Sequence, residues 1–256
     1  TYIQHRLELE FYNADFLNTL KNSRNKQAQS NPKRIIIDPG HGGRLNGASW
    51  YDLQEKTVNL DLANRVARLL KAAGYNAVMT RTGDVDVSLE QRAEYSMANA
   101  GDIFVSIHHN ASPAPSKILL DTIHGVETYS FNAQELFDQL TPDHFWFINT
   151  TSARKKDIAL IKKHLQQQVD ASLKLAQTIQ TAMLQNVQPA PRDNGVKAAH
   201  FRVLLLSTSS IPAILVEVGY LSNEQESKLL ADMNYRQQLA QAICTGITGF
   251  LAKKVK

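Results

Sequence analysis

Between Arg34 and Tyr220 the chain alternates short apolar runs with longer stretches in which apolar residues recur every three or four positions. RIIID (34–38), YNAVMT (75–80), DIFVSIHH (102–109), GVETYSF (125–131), HFRVLLL (200–206) and PAILVEVGY (212–220) have the length and β-branched content of strands. From Glu55 to Gly74, Val58, Leu62, Val66, Leu69 and Leu70 share one helical face, and Gly74 is the stop. Ser88, with Gln91 three residues on, has the form of a capping box and predicts a second helix over SLEQRAEYSMANAG. A long helix, or two stacked ones, is predicted over Ser152–Gln185, and a closing helix over Asn223–Ala252. Strands alternating with helices predict an α/β fold: one domain over 34–252 with a largely parallel or mixed twisted sheet of about six strands flanked by helices. Residues 1–33 read as a helical arm and a polar linker.

Composition adds little beyond a globular domain. The 256 residues are 43% hydrophobic and 20% charged, so a core of normal size is expected. The net charge of +4 is dispersed, with no block of like charge, and nucleic acid is not the expected partner. No apolar run is long enough to span a membrane. The single cysteine, Cys244, excludes an internal disulfide and a cysteine zinc site, and reads as a buried structural thiol. A chain that opens on Thr1 is expected to be a processed form whose export signal has been removed.

Ligands of open α/β sheets gather at the carboxyl ends of the strands. The first strand delivers His41 on the glycine-rich turn DPGHGG, and the third delivers His108 and His109, which point to opposite faces. The last delivers Glu217, a lone acid between Val216 and Val218, where burial without a task or a partner is costly. Glu55 opens the first helix just past the glycine-rich turn. Two histidines and a glutamate with an open fourth position form a catalytic zinc set, and a further glutamate can move protons. Donor types alone leave manganese, iron and cobalt open. Taken singly, His41 is an ordinary surface histidine and Glu55 an ordinary helix N-terminal acid.

IIIDPGHGG, the glutamate fourteen residues after its histidine, TRTGD, SLEQRAEYSMANAGDIFVSIHHNAS, GVETY, NGVKAAHFRVL and PAILVEVGYLSN occur in the order seen in zinc-dependent N-acetylmuramoyl-L-alanine amidases. Over 33–252 the chain resembles the type 3 amidase family of bacterial cell division. That resemblance implies one zinc ion held by His41, Glu55 and His108, with Glu217 as the catalytic glutamate. It implies hydrolysis of the amide between N-acetylmuramic acid and L-alanine of peptidoglycan, in wall remodelling and daughter-cell separation. His109 and Asn110 are assigned to substrate contact or to bracing the site, and Arg81 and Arg92 to holding helix and loop. A monomer in the periplasm or cell envelope is expected, with peptidoglycan as substrate and an activator protein of the division machinery as partner.

Two arrangements remain for the insertion over 131–171. It plugs the site, with Glu135 as the one glutamate available between Phe131 and Thr150, or it leaves the site open, with Phe145, Trp146 and Phe147 packing on the domain. The competing functions are a zinc carboxypeptidase acting on stem peptides and a non-catalytic wall- or divisome-binding module. The latter requires a broken site, and all four residues are present. SARK (152–155) has the Ser-x-x-Lys spacing of penicillin-sensitive serine carboxypeptidases. That activity, through Ser152 and Lys155, is weighed against chance, since SRNK at Ser23 repeats the spacing.

Overall fold

The computed structural model describes residues 32–113, 116–132, 151–199, 201, 203–204 and 211–253. Among the described residues eight strands and six helices follow one another: β1 (Arg34–Pro39), β2 (Ser49–Trp50), β3 (Leu53–Gln54), α1 (Glu55–Ala72), β4 (Asn76–Met79), α2 (Leu89–Ala98), β5 (Ile103–Asn110), α3 (Lys117–Thr122), β6 (Val126–Phe131), α4 (Thr151–Asn186), β7 (Asp193–Ala199), β8 (Ala213–Tyr220), α5 (Glu224–Ala231) and α6 (Met233–Lys253). Six strands form one sheet in the order β4-β1-β5-β8-β6-β7. β4, β1, β5 and β8 run parallel, β6 is antiparallel to β8, and β7 is parallel to β6. The chain is thus a single α/β domain with a mixed sheet.

The apolar runs are continuous because both faces of the sheet are covered. Ile35 and Ile37 enter one core cluster and Ile36 the other. The same alternation sends Ile103, Val105 and Ile107 to the first cluster and Phe104 to the second. In β8 it sends Ile214, Val216 and Val218 to the first, and Ala213 and Leu215 to the second. α1, α6 and the carboxyl half of α4 cover the first face, while Ile161 and Leu165 of α4 cover the second. The capping box of α2 forms as its sequence predicts: Ser88 Oγ accepts from Gln91 N–H, and the Gln91 side chain accepts from Ser88 N–H.

Two boundaries differ from the sequence reading. Phe201, Val203 and Leu204, the described residues of HFRVLLL, do not lie in a strand. β7 lies just before them, and Val203 and Leu204 sit in a helical turn closed by Leu204 N–H onto Phe201 O at 2.9 Å. β7 is an edge strand with a largely exposed pattern and a Gly195 at φ 83°, so it lacks the apolar signal that marks the buried strands. The closing helix is split at Asp232, whose Oδ1 accepts from Asn234 N–H at 2.6 Å and caps a new helix. The second half of 131–171 lies in α4, one continuous helix in which Ile161 and Leu165 are fully buried. Glu135, Phe145, Trp146 and Phe147 lie outside the described residues, as does the arm up to residue 31. Ser152 and Lys155 fall on the first turn of α4. Cys244 is half-buried in α6, and burial pushes its thiol up.

Candidate metal centre

The loop that carries His41 is held from behind by two buried arginines. Arg81 donates from Nε to Pro39 O (3.0 Å) and from NH2 to Gly40 O and Lys56 O (both 2.8 Å). Arg92 donates to Pro39 O and His41 O, both at 2.8 Å, and pairs with Asp38 at 2.5 Å. Asp38 also accepts from Thr80 Oγ1 at 2.5 Å and Ser106 Oγ at 2.7 Å, so a carboxylate only 1% exposed is fully partnered. The clamp holds His41 at a left-handed φ of 58°, a conformation that a non-glycine residue keeps only when its surroundings enforce it.

Glu55 is the meeting point. Its Oε1 lies 2.9 Å from His108 Nδ1 and 3.1 Å from His41 Nε2, and its Oε2 accepts from Ala48 N–H at 2.9 Å. The three side chains offer ligand atoms within 4.8 Å of one another, the one such group of histidines and acids among the described residues. The two imidazoles stand edge to face, with centroids 5.0 Å apart. Burial works to raise the Glu55 carboxyl, but hydrogen bonds and charge from His108 and His41 together hold it well below the ordinary carboxylate range.

Glycines make this convergence sterically feasible. A Cβ on Gly40 would lie 2.2 Å from His108 Cε1, and one on Gly47 would lie 2.3 Å from Glu55 Oε2 and 2.7 Å from His41 Cδ2. The space that side chains would fill is occupied by the three candidate ligands. Two imidazoles and a carboxylate, partly exposed on the His41 side, are the donor set of a divalent ion with an open position. The residues present therefore fit a bound metal.

Beside the ligands, His108 and Glu217 are register partners on β5 and β8, and Glu217 and Glu127 are register partners on β8 and β6. All three project from the same sheet face. Glu217 is 8% exposed, and its Oε2 is buried without a hydrogen-bond partner among the described residues. Burial first, then the carboxylates of Glu55 and Glu127, pushes Glu217 well above the ordinary carboxylate range. Glu127 is the opposite case. It accepts from Asn110 Nδ2 (2.6 Å) and Tyr220 Oη (3.0 Å) and is paired with Lys197.

The structure brings His41, Glu55 and His108 together and sets Glu217 on the adjoining strand. It corrects the substrate-contact assignment of His109, which is 1% exposed on the opposite face and points under α1. Its Nδ1 is 2.6 Å from Asn59 Oδ1, and burial pushes its pKa down to about 3, which keeps the ring neutral. Asn110 braces Glu127. The sequence reading missed Asn59, which donates to Gly40 O and Glu55 Oε1 and so ties His109, the loop and the ligand together. Its signal was a polar residue four positions after Glu55, next to Val58 on the buried face of α1. Asp38 and Glu127 were also missed; each is an acid in an otherwise apolar strand, the signal that did single out Glu217.

Fold and site define an α/β domain built around a candidate metal centre at the carboxyl ends of parallel strands. A family model described as N-acetylmuramoyl-L-alanine amidase, Amidase_3, matches residues 35–249. The chain belongs to that family. It is 34% identical over 233 residues to N-acetylmuramoyl-L-alanine amidase AmiC of Neisseria meningitidis serogroup B, across 86% of this chain and 53% of that protein. It thus spans about half the length of that relative. Among solved structures, an N-acetylmuramoyl-L-alanine amidase from Clostridium difficile 630 superposes with a TM-score of 0.68 at 30% identity, covering 88% of this chain and all of that one. AmiC2 of Nostoc punctiforme gives 0.65 at 30% identity, covering 88% and 99%.

Proposed function

We propose that this chain is a zinc-dependent N-acetylmuramoyl-L-alanine amidase that cuts the amide between the lactyl group of N-acetylmuramic acid and L-alanine. The observation that carries this reading is the convergence of His41 and His108 on Glu55, next to a buried Glu217 with one free oxygen. His41, Glu55 and His108 would hold the ion. When bound, zinc supplies Lewis acidity and lowers the pKa of water to about 7. The remaining steps belong to the chain. Glu217, with raised proton affinity and an unpartnered oxygen, takes the proton of the attacking water and passes it to the alanine nitrogen as the C–N bond breaks. Asn110, Tyr220 and Lys197 fix Glu127 beside it. The Asp38–Arg92 and Arg81 clamp keeps His41 and Gly40 in place while substrate enters.

Peptidoglycan lies outside the cytoplasmic membrane, so this reading places the enzyme in the cell envelope. No helix among the described residues is long and apolar enough to cross a membrane. A role in daughter-cell separation and an activating partner are part of the same proposal and rest on the resemblance to division amidases. The decisive test is mass spectrometry of digested sacculi. Free stem peptides beginning with L-alanine, lost on chelation and in Glu217→Gln, are expected. Release of a terminal stem residue, or intact wall with bound protein, would overturn the reading.

A further inference from the structure

The three strands that carry the candidate site are each followed by a loop or helix, and one chain of side chains joins all three. Tyr51, in the segment after β1, has Lys117 Nζ over its ring at 6.0 Å from the centroid. Lys117 opens α3, the helix after β5, and pairs with Glu224 at the start of α5, after β8. Glu224 also binds Lys228 at 2.9 Å. The rim thus spans the same strand ends that deliver His41, His108 and Glu217.

Tyr51 is held in an unusual way. It and Asp52 form the two-residue tip of the β2–β3 hairpin, with φ of 46° and 63°. Such a tip favours Asn-Gly, and a bulky aromatic there is strained. Trp50 and Leu53 pack against the core and fix the hairpin, yet the Tyr51 ring stays 44% exposed. The tip lies only two strand residues, about 7 Å of extended chain, before the ligand Glu55. Ile118 and Leu119, 79% and 47% exposed, extend the apolar surface beyond Lys117.

We propose that the Tyr51–Lys117–Glu224 rim is a saccharide subsite, in which the Tyr51 ring receives the C–H face of a sugar in the glycan strand. This rests on the amidase reading above. An aromatic face carries negative charge density that favours the polarised C–H groups of a pyranose. Lys117, Glu224 and Lys228 are already paired with one another. Two lysines share the one glutamate, and their ammonium and carboxylate groups offer hydrogen bonds to hydroxyl and N-acetyl groups. A strained hairpin tip that exposes its ring beside the site is then explained by contact with ligand.

The probes are stem-free glycan strands and a free L-Ala-D-γ-Glu-containing tripeptide, titrated calorimetrically into wild type, Tyr51→Ala, Tyr51→Gly and Tyr51→Phe. Affinity for the glycan is expected to fall about tenfold in Tyr51→Ala and Tyr51→Gly, and to be retained in Tyr51→Phe. Tyr51→Gly relieves the left-handed φ, so its thermal midpoint should equal or exceed that of wild type. A Met233→Ser variant, on an exposed position at the start of α6, is the surface control. Unchanged glycan affinity in Tyr51→Ala, a loss confined to the tripeptide, or unfolding of Tyr51→Gly would overturn the subsite. The amidase reading is judged separately, by whether wild type releases L-alanine peptides from sacculi. If it does while Tyr51→Ala binds glycan normally, only the subsite fails.

Discussion

Gly40→Ala tests the site's steric logic with one methyl group. The backbone at Gly40 cannot yield: its N–H donates to Ile107 O at 3.0 Å, and its carbonyl accepts from Asn59 Nδ2 at 3.2 Å and Arg81 NH2 at 2.8 Å. Its φ is outside the left-handed region, so alanine adds no torsional strain. The added Cβ would meet His108 Cε1 at 2.2 Å, Nε2 at 2.3 Å and Cδ2 at 2.7 Å. Carbon atoms rest at about 3.5 Å or more, so the imidazole must retreat by over 1 Å. Metal–ligand distances tolerate about 0.2 Å, so His108 would leave the ligand set. A fall in zinc affinity of at least about 100-fold is expected, with a matching loss of peptide release from sacculi. Zinc affinity is read by titration against a competing chelator, and folding by circular dichroism. Gly83→Ala is the control, because a Cβ there meets nothing within 4 Å. If a folded Gly40→Ala binds zinc within threefold of wild type, the packing of His108 against bare backbone does not position the ligand, and the argument is wrong.

Four further outcomes follow from the same geometry. Arg92→Ala leaves Asp38 buried with one fewer partner, which costs about 3–5 kcal/mol, or roughly 6–20 °C in thermal midpoint by calorimetry. Glu217→Gln lowers kcat by about 10²–10⁴ with zinc content unchanged, measured on sacculi with metal analysis alongside. The folded pKa of Glu217 lies above its unfolded value, so its contribution to stability is full below about pH 4.5 and is lost as pH rises through the folded value. Metal-free Glu217→Gln should therefore melt above wild type at pH 8 and level with it at pH 4; equal midpoints at both would refute the burial argument. Asn59→Ala removes the link between His109, Gly40 and Glu55 and should weaken zinc binding about 10–100-fold, read in the same chelator titration.

The candidate site was legible because its chemistry is costly in sequence terms. A carboxyl in the middle of AILVEVGY and a histidine among glycines both break the local pattern, and function is the common reason for such breaks. Opposite projection of His108 and His109 was legible from strand period alone, but which face held the site was not. That depends on which helix covers which face, and α1 with Asn59 took the side of His109. β7 was misplaced because an edge strand does not need an apolar run, whereas Val203 and Leu204 are apolar for a turn that is buried. The split at Asp232 was hidden because the helical period continues across it, and only the cap geometry of one side chain reveals the break.

The contrast between Glu127 and Glu217 is the step that sequence could not supply. Both are acids in apolar strands, directly opposite each other on one sheet face, where like carboxylates disfavour joint ionisation. Their environments break the symmetry. Asn110, Tyr220 and Lys197 all serve Glu127, while Glu217 has a buried oxygen with none. Glu217 is therefore the member of the pair whose proton affinity the fold raises, on the strand beside His108. A group meant to exchange protons with substrate cannot have its lone pairs committed to the fold. The lysine and tyrosine that anchor Glu127 fix its carboxyl group beside Glu217, where it adds to the raised proton affinity of the unpartnered acid.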